Sequence, residues 1–180
     1  MKRVLLGLGS NKNFDGKSSL ELLSLACHDL STFLFDCICS SVYKTKAMYY
    51  EDQNDFYNMV LMGFISDDAD AFFLLDEIHK IEQRYGRDRS KEIRFGPRSL
   101  DIDIELFGDE VIDTPDLQIP HIRIKERAFV LIPALEIFEK SADVKSRERY
   151  KKYLAELNQK DIDEVKLFVT ADDFLSSGGF

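Results

Sequence analysis

The sequence predicts an α+β fold, a ferredoxin-like βαββαβ sandwich with an antiparallel sheet and helices packed on it. Three observations carry that prediction. Apolar or alternating stretches suited to strands stand at 3–9, 36–44, 56–65 and 98–107. Two intervening segments repeat apolar residues every three or four positions, the spacing of one helix face. The resulting order, β-α-β-β-α-β, is the split βαβ arrangement, which gathers its helices on one sheet face. The other face is expected to carry loops or to stand open.

Residues 3–9 form a short apolar strand ending at Gly9. Ser18 and Glu21 match a capping box before Leu20, Leu23, Cys27, Leu30 and Leu34, which predicts a helix over about 18–33. Residues 44–55 are polar without period and are read as a loop. The run "FYNMVLMGFI" at 56–65 is a strongly apolar strand. Asp67 is expected to cap the second helix, and Gly86 to end it. A basic loop precedes the strand at 98–107. Gly108 and Asp109 then signal a turn, with a short strand at 110–112 and a helix at 125–138. All four prolines lie within 97–133, where they are expected to stiffen loops.

The 180 residues suffice for one domain, 1–180, whose segment 139–180 is an extension without an assigned role. "MKRVLLGLGSN" is too short and too glycine-broken for a signal peptide, and no run approaches the ~18 apolar residues of a membrane helix. Cys27, Cys37 and Cys39 have no metal spacing and suggest thiols in a reducing cytoplasm. A net charge of -9 argues against nucleic acid as a partner. Within 84–98, however, six basic residues face two acids. Such a run is either a solvated loop or an anion site, where arginine forks meet phosphate oxygens.

"LDIDIEL" at 100–106 alternates apolar residues with Asp101, Asp103 and Glu105. Its acids therefore share one strand face and its apolar residues, Leu106 included, the other. Asp is a poor strand residue. Carboxylates two positions apart sit roughly 6.5–7 Å from each other along the backbone and repel unless a cation intervenes. An acidic pair beside an arginine-rich segment suits a metal bound to a phosphorylated substrate. The plainer reading is a solvated strand face.

"RFGPRSLDIDIELFGDEVI" followed by "IPHIRIKERAFVLIPALEI" resembles the 6-hydroxymethyl-7,8-dihydropterin pyrophosphokinases of folate biosynthesis. "LGLGSN", "SSVYKT" and "DFYNMV" are similar to that family's first three strands, so the likeness spans roughly 1–138. The resemblance implies transfer of pyrophosphate from ATP to the hydroxymethyl group of a reduced pterin, with release of AMP and use of two Mg²⁺ ions. It places the metals on Asp101 and Asp103. Arg98 and His121 would contact the nucleotide phosphates, with Arg127 also on the ATP side, while Arg87 and Arg89 would close over the phosphates. His79, where the family usually has Gln, and Glu82 would sit on the ATP side, Glu82 near the adenosine. Phe56 and Phe129 would sandwich the pterin, Asn58 would bond its polar edge, and Thr45 and Met48 would line it. Further departures are Phe95 where a Trp is common, "KAMYYEDQ" where the loop usually has proline, and Asp116 where an Arg is frequent.

Taken alone, Phe56 and Phe129 read as core aromatics, and His121 as a loop residue. Asn58 resists that reading, because Asn is depleted in strands and needs partners when buried. A monomeric cytoplasmic enzyme acting on small molecules is expected, with no membrane or nucleic-acid partner, and 180 residues are too few for a fused second pathway enzyme. Segments 44–55 and 87–95 are expected to order on ligand binding. Two other functions fit the residues: a ligand-binding regulatory module without chemistry, and a metal-dependent phosphohydrolase. Carboxylate repulsion also predicts that neutralising either aspartate slightly stabilises the metal-free protein.

Overall fold

A computed structural model describes residues 1–46, 53–88 and 96–178. Met48, Arg89, Phe95 and most of the two segments expected to close over ligands lie outside the described residues. The chain runs β1 (Lys2–Ser10), α1 (Ser19–Ser31), β2 (Phe35–Cys39), β3 (Val42–Thr45), β4 (Phe56–Ile65), α2 (Ala71–Arg84) and β5 (Asp101–Phe107). It continues with β6 (Ile112–Asp113), β7 (Gln118–Ile119), a 3₁₀ turn at Ile124–Glu126, α3 (Ala128–Lys140), α4 (Val144–Ala155), α5 (Gln159–Asp163), β8 (Lys166–Val169) and α6 (Ala171–Gly178). The antiparallel sheet is ordered β5-β1-β4-β3-β8, with β2 also paired to β4. Its inner part is the ferredoxin-like order.

The boundaries moved for local reasons. Ser18 does form the capping box with Glu21. The second helix is capped by Asp70, whose carboxylate accepts the Phe73 N–H at 2.7 Å. Asp67 instead receives the N-terminal ammonium at 2.8 Å. Gly86 ends the helix with φ +89°, a conformation that suits glycine. The single strand expected at 36–44 is two strands. Ser40 Oγ accepts the Val60 N–H at 2.9 Å, so a side chain substitutes for the ladder there. Pro133 lies inside α3 rather than in a loop.

Helices cover the sheet on both faces, which corrects the expectation that the second face carries loops or stands open. Leu6, Leu8, Met59, Leu61, Ile102 and Ile104 pack against α1 and α2. On the opposite face Leu5, Val60 and Met62 pack against Val130, Leu131, Ala134 and Ile137 of α3 and Tyr150 of α4. The continuous apolarity of β4 follows, since both of its faces are buried. Alternation in β5 also breaks. Leu6 opposes Ile104 but Leu5 opposes Leu106, so Glu105 is an extra residue, a bulge. Leu106 therefore joins the α3 side, and Phe107, 0% exposed, replaces it in the α1/α2 core. Among the described residues no helix is long and apolar enough to cross a membrane.

Candidate active site

Cross-strand register builds a cleft over β1. Gly9 lies between Asp101 on β5 and Asn58 on β4, and Gly7 lies between Asp103 and Val60. With no side chains at Gly7 and Gly9, the middle strand is a bare floor. A Cβ on Gly9 would stand 3.0 Å from Asn58 Oδ1, and one on Gly7 would stand 3.1 Å from Glu105 Oε1. The cleft encloses about 900 Å³, its open mouth included, and Thr45, Phe56, Asn58, Arg98, Asp101, Asp103, Arg127 and Phe129 all line it.

One end is ionic. Asp101 accepts from Arg87 and Arg98, each at 2.5 Å, and Asp103 accepts from Arg127 at 2.6 Å. Burial alone would raise the Asp101 carboxyl, but Arg87, Arg98 and Arg127 together outweigh it and hold it below the usual carboxylate range. Arg127 is aimed by a break in the chain, with φ −111° and ψ 88° between the 3₁₀ turn and α3. The other end is aromatic and amide-lined. Phe56 and Phe129 are half-buried, and the Arg127 guanidinium lies 5.7 Å from the Phe129 ring centre. Asn58, buried on β4, donates to Thr45 Oγ1 at 2.8 Å.

Four of the residues assigned to the nucleotide do not line the cleft. Glu82 is 1% exposed; its Oε1 accepts the Ile102 N–H at 2.8 Å and pairs with Arg87, riveting α2 to β5 behind the acidic pair. Arg87, with its side chain 8% exposed, is held between Glu82 and Asp101. His79 is half-buried on α2. His121 accepts the Arg123 N–H at Nδ1, 3.1 Å, and burial together with Arg127 lowers its pKa.

The sequence assigns no site role to three contributors, although it places Glu105 on the face of the acidic pair. Gly7 and Gly9 form the floor. Asn11 accepts the Arg98 N–H at 2.7 Å and donates to Gln53 Oε1 at 3.1 Å and to the Asn54 carbonyl at 3.0 Å. It pins the arginine's loop to the segment leading into β4. A buried Asn at a strand end is the signal that could have marked it. The third is Glu105, 0% exposed, neither oxygen of which has a hydrogen-bond partner among the described residues. Arg127 stands 3.6 Å away, too far for a hydrogen bond. Burial, then the charge of Asp103, pushes the Glu105 carboxyl up to about 8. Removing such a group relieves an unmet desolvation cost. Glu105→Leu is expected to stabilise the metal-free protein by about 1–3 kcal/mol in thermal or denaturant unfolding. A lowered midpoint would show that the carboxyl is satisfied in solution.

Fold and cleft together define a small α+β domain with an anion-sized ionic end and a ring-sized aromatic end. The family described as 7,8-dihydro-6-hydroxymethylpterin-pyrophosphokinase matches residues 5–139. A 2-amino-4-hydroxy-6-hydroxymethyldihydropteridine pyrophosphokinase of Aquifex aeolicus is 38% identical over 137 residues, 76% of this chain and 81% of the relative. The Bacillus subtilis protein of the same name is 46% identical over 98 residues, 54% of this chain and 56% of the relative. Among solved structures, the Plasmodium falciparum HPPK-DHPS A437G with SDX-DHP superposes with a TM-score of 0.56 at 16% identity, covering 76% of this chain and 41% of that one, a likeness of fold alone. The chain belongs to the hydroxymethyldihydropterin pyrophosphokinase family. Pyrophosphoryl transfer to hydroxymethyldihydropterin, in folate biosynthesis, is accordingly its reaction.

Proposed function

We propose that ATP is the pyrophosphoryl donor, that two Mg²⁺ ions on Asp101 and Asp103 escort it, and that the pterin lies between Phe56 and Phe129 with its polar edge on Asn58. What supports this reading is the register across β1. Asp101 and Asn58 flank Gly9 on neighbouring strands, two strand spacings or roughly 9.5 Å apart at the backbone. A ring held by Asn58 thus extends over a bare glycine floor toward the acidic pair.

The donor set suits magnesium. Among the described residues no cluster of three or more His, Cys, Asp or Glu could hold a metal. Magnesium commonly takes only one or two protein carboxylates, with phosphate oxygens and water completing its shell. When bound, it would neutralise phosphate charge and fix the angle of attack. The residues of the chain do the rest. Arg98 and Arg127 now neutralise the aspartates, and they are placed to turn to phosphate oxygens when a metal takes over that role. Asn58 and Thr45 orient the ring, while Phe129 and Phe56 stack on it and exclude water. Thr45 Oγ1 already accepts from Asn58 Nδ2, so the amide's orientation is set before the ring arrives. Arg87, Arg89, His79, Glu82 and His121 complete the nucleotide side in this reading, with Arg87 and Glu82 acting from behind Asp101. Met48 belongs to the pterin side. The three cysteines are free thiols, in keeping with a cytoplasmic enzyme.

Product analysis tests the reading. Incubation with ATP, Mg²⁺ and 6-hydroxymethyl-7,8-dihydropterin should release AMP only when pterin and Mg²⁺ are both present. Phosphate released without pterin would point to a phosphohydrolase. Absence of any nucleotide turnover would point to a regulatory module.

A further inference from the structure

The matched family residues stop at 139, yet the chain beyond them returns to the sheet beside the ring end of the cleft. β8 pairs antiparallel with β3, Val42 opposite Val169, Tyr43 opposite Leu167 and Lys44 opposite Lys166. Without it β3, four residues long, would be a sheet edge with unpaired backbone groups. Thr45 ends that strand, opposite Phe56, and Tyr43 stands opposite Asn58.

Three further contacts fasten the C-terminal segment to this end of the fold. The buried Ala171 N–H, at the start of α6, donates to Ser41 Oγ at 3.1 Å, just before β3, and Phe174 of α6, 3% exposed, joins the core on α1. Phe168 of β8 meets Tyr57 of β4 edge to face, ring centres 4.9 Å apart. Tyr57 lies between Phe56 and Asn58 in the chain, with its side chain on the opposite sheet face. Phe168 therefore backs the backbone segment that presents both ring-contacting side chains.

We infer that β8 and α6 position the pterin half of the site, with Phe168 as the positioning residue behind Phe56 and Asn58. This rests on the ring end being the pterin subsite. The sheet order makes the inference selective. β5, which bears Asp101 and Asp103, is at the far edge, with β1, β4 and β3 between it and β8. Disturbance at β8 reaches the ring-binding strands first and leaves the acidic pair in place.

Phe168 is 48% exposed, so its loss should leave the fold intact. Phe168→Ala in the full chain is expected to weaken pterin binding roughly tenfold, as small misplacements of contact groups do, with MgATP affinity unchanged in calorimetric titrations. Phe168→Tyr should restore pterin binding. Hydrogen exchange on the unsubstituted chain supplies a second measurement. Pterin should slow amides of β8 together with those of β3, and MgATP alone should not. Unchanged pterin affinity in Phe168→Ala, equal weakening of both ligands, or β8 amides indifferent to pterin would overturn the inference. An unsubstituted chain that binds MgATP but no pterin would overturn the subsite reading first, and this inference with it.

Discussion

Asp101→Asn and Asp103→Asn are each expected to abolish most Mg²⁺-dependent ATP binding and turnover while pterin binding survives. Both substitutions keep the side-chain shape and remove one negative charge from a pair that would hold cations bridged to phosphate. In the proposed reading, pterin binding rests on Phe56, Phe129 and Asn58, on other elements. The two variants should differ in stability. Arg87 is buried between Glu82 and Asp101, so Asp101→Asn removes a charged hydrogen-bond partner from an enclosed guanidinium. A cost of about 1–3 kcal/mol follows. Asp103 is 35% exposed and its partner Arg127 is nearer solvent, so Asp103→Asn should be close to neutral in melts without Mg²⁺. Simple repulsion between the carboxylates predicts the opposite sign for Asp101. Repulsion fails because three arginines already neutralise the pair. Calorimetric titration with MgATP and melts with and without Mg²⁺ give both results. Normal binding and turnover in both variants would reduce the pair to a charged strand face.

Much of the fold is legible because burial writes itself into local pattern. β4 is apolar throughout since helices cover both of its sides, α1 carries its period and its cap, and α2 carries its period, although Asp70 rather than Asp67 caps it. The acidic pair is legible because Asp has no reason to sit in a strand. What escaped was set by partners distant in the chain. A bulge at Glu105 moves Leu106 to the α3 side, although alternation alone assigns it to the face of Ile102 and Ile104. Glu105 keeps the face of Asp101 and Asp103, as alternation predicts, but its complete burial there comes from packing that spacing does not show. The resemblance sets Glu82 near the adenosine, yet the Ile102 N–H and Arg87 draw it into the joint between α2 and β5. Ser40 interrupts a strand through a side-chain bond to Val60, 20 residues away in sequence. The layer on the second face comes from α3 and α4, whose packing cannot be read from spacing within β1 or β4. Segment 139–180 carries no motif, and its place beside β3 is a matter of tertiary pairing only.

Arg98→Ala is expected to lower kcat by about 10²–10³, the loss associated with one preorganised donor at developing charge, with pterin affinity near normal. The site isolates this effect well. The loop that carries Arg98 is held by main-chain bonds: the Arg98 N–H donates to Asn11 Oδ1 at 2.7 Å, and the Asn11 N–H donates to the Arg98 carbonyl at 3.0 Å. Alanine keeps both, so the loop and its tie to β1 should persist. The guanidinium holds Asp101 through Nη1 at 2.5 Å, while its buried Nε finds no hydrogen-bond partner among the described residues. A planar fork with one arm on the carboxylate proposed to hold the metal and another donor unspent is suited to a phosphate oxygen arriving beside it. Arg98→Lys separates charge from geometry. An ammonium supplies the positive charge but not the fork, so turnover should fall between those of the parent and the alanine variant. A purely structural role would appear instead as a lowered melting temperature with kcat intact. Near-normal turnover in Arg98→Ala would remove this arginine from the transfer step.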